Sequence, residues 1–263
     1  MEDTQKKINE IISIKKNLEK DLVILTKGKK QAKTNVYFGK NVKLEPNVFF
    51  DTSDGKILID DNTKIKANAV LRGPLIVGKN CVINSFTEIS CSRIGNVCKI
   101  GGEIDQVVMQ DYSNKQHYGY LGHSYVGSWV NLGAGTSVST LKNTYTNIKV
   151  NDFDTGTQFF GCIIGDCVKT AINTSIFCGK VIGASSHLYG TVTEDVPSFV
   201  SHIRPGVFYE IPFEIAENIQ KAMTKRRNIN WTEKDSQTFK KSYLATSSDR
   251  KKVKAKKGKL SFK

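Results

Sequence analysis

Val77-Gly78-Lys79-Asn80-Cys81-Val82, Ile83-Asn84-Ser85-Phe86-Thr87-Glu88 and Ile94-Gly95-Asn96-Val97-Cys98-Lys99 repeat one six-residue phrase. An aliphatic residue leads, Gly, Asn or Asp usually follows, and a small or aliphatic residue stands three places on. Val126-Gly127, Leu132-Gly133, Ile164-Gly165 and Ile182-Gly183 open later copies. A step of six fits neither a helix at 3.6 residues per turn nor one long alternating strand; it fits short strands joined by tight corners. Three hexads would close one triangular turn of a parallel β-helix. The leading aliphatics then stack inside the prism, and the Gly, Asn or Asp after each takes the corner, where unusual φ values cost such residues least. Periodicity does not give the handedness of the coil.

Outward from the repeats, which run from about 36 to 200, the organisation is simple. Residues 1–35 hold Ile8, Ile11, Ile12, Leu18, Leu22 and Leu25 at helical spacing among Lys and Glu. This predicts an amphipathic helix and linker that cover one end of the solenoid or dock on another subunit. The β-helix takes 36–206, and Ile215, Ile219 and Met223 predict a short helix within 207–228. Residues 229–263 read as a basic, disordered tail. From 221 onward there are 15 Lys/Arg against 3 Asp/Glu, a net of +12, so nearly all of the formal +14 lies there. Such a tail could make weak polyanion contacts, although no recognition motif accompanies it. The six cysteines form no Cys-x-x-Cys pair and read as reduced structural thiols of a cytoplasmic protein. No segment is apolar enough to span a membrane.

The stretch Glu103 to Gln116 breaks the clean hexads, and after it come His117-Tyr118-Gly119-Tyr120-Leu121-Gly122-His123 and Asn131-Leu132-Gly133-Ala134-Gly135-Thr136. Irregular chain on a rigid scaffold is a place to look for a site. Acyl transfer to an amine needs a base that takes a proton near neutral pH, which imidazole supplies.

These phrases resemble the left-handed β-helix acyltransferases built of hexapeptide repeats. The likeness is greatest to the acetyltransferase domain of the bifunctional enzyme that makes UDP-N-acetylglucosamine and to related sugar-nucleotidyltransferase-like proteins. That domain has Tyr at +3, Gly at +5 and an Asn-apolar-Gly-Ala-Gly-Thr phrase at +14 from its catalytic His. His117, Tyr120, Gly122 and Asn131 to Thr136 match without a gap. The resemblance implies an all-β solenoid, a left-handed parallel β-helix, with short N- and C-terminal helices. It implies a homotrimer that uses acetyl-CoA to acetylate the amine of an amino sugar or sugar phosphate, with no metal required. His117 would be the general base, Tyr120 and Asn131 substrate contacts, and Ala134 part of the coenzyme groove. Arg204, in Ser201-His202-Ile203-Arg204-Pro205, would meet the coenzyme phosphates.

The sequence departs from the family where cations should grip the substrate phosphate: those positions hold Thr87 and Asp105, and a family Asn falls at Thr140. Arg93, Lys99, Lys115, Lys142 and Lys149 could compensate, and Lys142 is preferred because its segment looks like the nucleotidyltransferase-like relatives. No Gly-rich nucleotide-binding βα unit precedes the repeats, so nucleotidyl transfer is not expected. Two rival readings stay open. One is a carbonic-anhydrase-like β-helix hydratase with His117 and His123 as metal ligands and His187 or His202 as a third. The other is a non-catalytic scaffold or regulatory subunit.

Overall fold

The computed structural model describes residues 2–27 and 29–260. Its body is a three-faced parallel β-solenoid. The first face is a nine-stranded sheet that includes Ile57–Ile59, Leu75–Val77, Arg93–Ile94, Val108–Met109, Tyr125–Val126 and Cys162–Ile164. The second runs through Lys64–Ile65, Val82–Ile83, Lys99–Ile100 and Asn114–Lys115, crosses the single bridging residue Asn131, and continues through Lys169–Thr170, His187–Leu188 and Val200–Arg204. The third carries Phe49–Asp51, Val70–Arg72, Glu88–Ser90, Glu103–Asp105 and Tyr120–Gly122, and is prolonged by Ser137–Val138, Ser175–Ile176 and Thr191–Val192.

The leading aliphatics form the core as the hexads require. Ile57, Leu75, Ile83, Ile94, Ile100, Leu121 and Val126 are buried in one continuous stack. Ile57 pairs with Leu75, three hexads further on, whereas Arg93 pairs with Val108 across a shorter coil. The corners differ from the expectation in one respect. In Val77-Gly78-Lys79-Asn80 the left-handed residue is Asn80, at φ 57°, two places after the glycine. Gly78 is needed instead for close stacking: a Cβ there would lie 2.7 Å from the carbonyl carbon of Gly95 in the next coil. Residues 103–116, expected to be irregular, form regular strands of all three faces. The true interruption is 139–161, a loop between the third and first faces that carries the small hairpin Lys149–Val150 and Phe153–Asp154.

The N-terminal segment is two helices, α1 (Glu2–Ile12) and α2 (Ile14–Leu25), and it covers a flank rather than an end of the solenoid. Ile8, Ile11, Ile14, Leu18 and Leu22 pack on the outward Leu58, Ile76, Val108 and Ile163 of the first face. Ile12 and Leu25, expected in the apolar stripe, are exposed. That face reads as a continuous apolar run, as a strand buried on both sides must.

The tail expectation is overturned. After α3 (Phe213–Lys225), the described residues 229–260 of the expected tail contain α4 (Glu233–Ala245) and α5 (Ser247–Lys252). Thr232 opens α4 with a reciprocal capping box to Asp235. Arg250, which the charge run presented as solvated, is 4% exposed. It donates to Glu210 Oε1 at 3.0 Å and to the Tyr243 carbonyl at 2.8 Å, and its guanidinium lies 4.1 Å from the Tyr243 ring centre. Beyond it Val253 and Ala255 pack against the last coil, and Lys256 exchanges backbone bonds with the Val207–Glu210 strand. Charge composition hid this because Phe239, Tyr243 and Arg250 do the anchoring and the surrounding lysines stay in water. The chain expected to be solvated thus covers the exit end of the prism.

Candidate active site at the corner between the second and third faces

Strand Asn114–Lys115 ends the second face, strand Tyr120–Gly122 begins the third, and Gln116 to Gly119 turns between them. His117 is exposed on this corner. Its carbonyl accepts from Lys115 Nζ at 2.6 Å, and the same ammonium donates to the Gly101 carbonyl at 3.1 Å. Lys115 is 1% exposed, and its burial pushes its pKa down to about 8. The Gln116 carbonyl accepts from Asn84 Nδ2 at 2.8 Å, and Gly119 has φ 120°. The backbone under the imidazole is therefore pinned from below, and its ring is free.

Ala134 occupies the same corner one coil on: Gly135 N–H donates to the Tyr118 carbonyl at 3.0 Å, and Asn173 N–H in the following coil donates to the Ala134 carbonyl at 2.7 Å. Arg204 ends the second face's last parallel strand, Val200–Arg204, and is exposed further along the same column of corners. Tyr120 flanks His117 on the third face, half-buried; burial raises its phenol pKa, the neighbouring Asp105 and Glu103 push the same way, and a bond to Thr140 opposes them. Asn131 flanks it on the second face, where its Oδ1 accepts from Asn114 Nδ2 at 3.3 Å. His117, Ala134 and Arg204 thus lie along one column of corners, Arg204 three coils beyond Ala134, with Tyr120 and Asn131 on the adjoining faces and the Tyr120 hydroxyl over Gly122 beside Thr140.

Lys142 does not join them. It lies in the 139–161 loop at another corner, where its ammonium donates to the Asn147 carbonyl at 2.8 Å. Among the other candidate cations, Arg93 is engaged by Asp21 of α2 and Lys115 is buried. Thr87, in a family cation position, is buried and donates to the Asn84 carbonyl. Asp105, in the other, accepts from Ser90 Oγ at 2.7 Å.

His123 lies at the corner between the third and first faces. Its Nε2 is 3.7 Å from Asp105 Oδ2, and its ring stacks on Phe159; burial lowers its pKa while Asp105 opposes. His187 is on the second face, pushed down to about 4 by burial and by Lys169, and His202 is enclosed beside Glu194. His117 and His123 belong to different corners, and no group of three or more His, Cys, Asp or Glu side chains among the described residues could hold a metal. The six thiols are unbridged. No helix of the described residues is long and apolar enough to cross a membrane.

Sequence reasoning missed Lys169, Arg226 and Arg227, which with Lys99 border a cleft between the second face and the end of α3. Their spacing gave no signal, because the cleft exists only once α3 folds back over the coils.

No family model matches the chain. It is 31% identical over 166 residues to the bifunctional protein GlmU of Nostoc sp., a match covering 62% of this chain and 30% of that protein. It is 32% identical over 182 residues to a bifunctional sugar-1-phosphate nucleotidylyltransferase/acetyltransferase of Sulfurisphaera tokodaii, covering 64% of this chain and 43% of that protein. Among solved structures, a UDP-N-acetylglucosamine acyltransferase of Francisella novicida aligns over 84% of this chain and 87% of its own, at 15% identity and a TM-score of 0.49. The chain spans less than half the length of these two sequence relatives. By sequence, then, the chain is similar over most of its coils to the bifunctional GlmU proteins and sugar-1-phosphate nucleotidylyltransferase/acetyltransferases, the resemblance to which the spacing of His117, Tyr120 and Asn131 pointed.

Proposed function

We propose that the His117 corner transfers an acetyl group from acetyl-CoA to the amine of an amino sugar or its phosphate. The observation that carries this reading is an exposed imidazole on a corner whose backbone is held by a buried ammonium, with Tyr120 and Asn131 on the flanking faces and Ala134 one coil on. Such pinning favours acyl transfer because it fixes the corner from which the free ring reaches the amine. As the amine nitrogen attacks the thioester carbonyl carbon, His117 takes the proton that the nitrogen sheds. The C–S bond then breaks, the amide forms, and the departing thiolate takes that proton back from His117, so that coenzyme A leaves as the thiol. Tyr120 and Asn131 would orient the sugar. Ala134 leaves room for the coenzyme along the corner column, towards the exposed Arg204, whose charge suits its phosphates. The acidic Glu103 and Asp105 beside Tyr120 suit a substrate that arrives as an ammonium and gives one proton to solvent before its free amine attacks.

The reading includes a homotrimer. Phe86 and Tyr118, 78% and 65% exposed, lie at this same corner, as side chains that a second copy covers would. Thiol release from acetyl-CoA with a panel of amino sugars and their 1-phosphates tests the activity, with light scattering for the mass. Amine-dependent release from a trimer is expected. Release with no amine on the panel, or a stable monomer at micromolar concentration, would overturn the reading.

A further inference from the structure

Between the second face and the last turn of α3 lies a cleft of about 280 Å³. Four of its lining side chains are cationic, Lys99 and Lys169 from the coils and Arg226 and Arg227 from the end of α3, and none is acidic. Cations crowded without a counterion repel one another. Lys99 shows it: burial lowers its pKa, and Arg227, then Arg226, then Lys66 push it further down. Arg227 donates to Asn114 Oδ1 at 3.0 Å, but its Nε is buried with no hydrogen-bond partner. Structures rarely leave such a donor unmet unless something else supplies the acceptor. One wall is aromatic: Tyr112 and Trp129, at equivalent corners of successive coils, stack with ring centres 4.4 Å apart and planes 3° apart. The amides of Asn114, Gln116 and Asn131 complete the lining.

We infer that this cleft binds a phosphorylated nucleoside, its phosphates among Lys99, Lys169, Arg226 and Arg227 and its base against the Tyr112–Trp129 stack. Cations alone would suit any anion, and the stack alone any flat ring; their juxtaposition selects a ligand with both. Guanidinium groups hold phosphate oxygens in pairs, and bases stack on aromatic faces whatever their identity. Two sources carry this chemistry, a free nucleoside diphosphate and the 3′-phosphorylated adenosine of a coenzyme. The inference stands without the acyl-transfer reading but shares Asn131 with it, and the coenzyme source would move the coenzyme phosphates from Arg204 to this cleft.

The chain has two tryptophans, so Trp231→Phe leaves Trp129 as the reporter. ADP is expected to quench its fluorescence saturably and to bind at least tenfold more weakly to Arg227→Ala and Lys99→Ala, with unchanged melting confirming that these variants fold. On the unsubstituted protein, adenosine and inorganic phosphate should each bind at least tenfold more weakly than ADP, and the ADP affinity should fall as salt is raised. Tighter binding of 3′,5′-ADP than of ADP would point to the coenzyme source, and the reverse to a free nucleotide. No saturable binding at millimolar ADP, adenosine or phosphate binding as well as ADP, or full affinity in both folded variants would overturn the assignment.

Discussion

The second and third faces share one core and differ outside it. Ile83 and Ile89, one on each face, are both fully buried in the same stack. Outward, the second face shows Lys43, Lys64, Lys99 and Lys169, and the third shows Asp51, Glu88, Glu103 and Asp105, relieved by Arg72, which bridges Asp51 at 2.8 Å and Glu88 at 3.0 Å. Period-two alternation lets the interior fix the fold while the exterior sets the charge. The difference places an anion-favouring surface and an ammonium-favouring surface on either side of His117. The corner joining them is the element on which the two surfaces act together.

The largest effect should come from deforming that corner. Gly119 sits at φ 120°, and a Cβ there would lie 2.2 Å from the Thr136 carbonyl oxygen. Gly119→Ala should cost about 3 kcal/mol through strain and clash and remove activity in the protein that still folds. Gly156, at φ 70° with open space around it, gives the control: Gly156→Ala should cost about 1 kcal/mol. Equal melting losses would show that the corner is not specially constrained. Lys115→Met is expected next. It removes the ammonium under His117 and strands the Gly101 and His117 carbonyls, at about 1–3 kcal/mol for a buried unmet group, and should lower turnover more than it raises KM for the amine. A KM change alone would contradict this positioning role.

The contrast between the faces is sharpened by pH. Lys169 is pushed down to about 8 by burial. Around it are the Cys167 carbonyl at 2.8 Å, the Cys167 thiol held up at about 12, Gln220 of α3, His187 pushed down to about 4, the neighbouring Asp166, and Lys99, Arg226 and Arg227 across the cleft. Below about 8 Lys169 is charged and attracts phosphate; above it the charge is lost. Nucleotide affinity in the cleft should therefore weaken as pH rises from 7 to 9, and isothermal calorimetry across that range checks the sign. Affinity rising with pH would contradict it. The smallest effect belongs to His123→Ala, which removes a partly buried ring stacked on Phe159 and should cost about 0.5–3 kcal/mol of stability while leaving turnover near that of the parent. Abolished turnover with a bound metal released would restore the hydratase reading.

The solenoid was legible because its signal is periodic: Val77, Ile83 and Ile94 need no distant partner to announce an inward direction. His117, Tyr120, Asn131 and Ala134 were singled out by their resemblance to a family motif rather than by the repeat; the coils put His117 and Ala134 at equivalent corners, and the roles of all four belong to the proposed function. Lys142 falls at another corner because it lies in 139–161, where the period fails and spacing no longer measures position. The helical tail was illegible because Arg250 meets Glu210, and Phe239 meets Phe199, across long stretches of chain. The flank position of α1 and α2 was hidden because an amphipathic stripe says that a helix docks, not where.

The most direct measurement is turnover of His117→Ala beside the parent protein, on one accepted amino sugar with saturating acetyl-CoA, together with coenzyme affinity. Loss of a general base should lower the rate by about 100-fold to 10,000-fold, with coenzyme affinity unchanged because the contacts proposed for it are Ala134 and Arg204. Full turnover in His117→Ala would contradict the account at its centre.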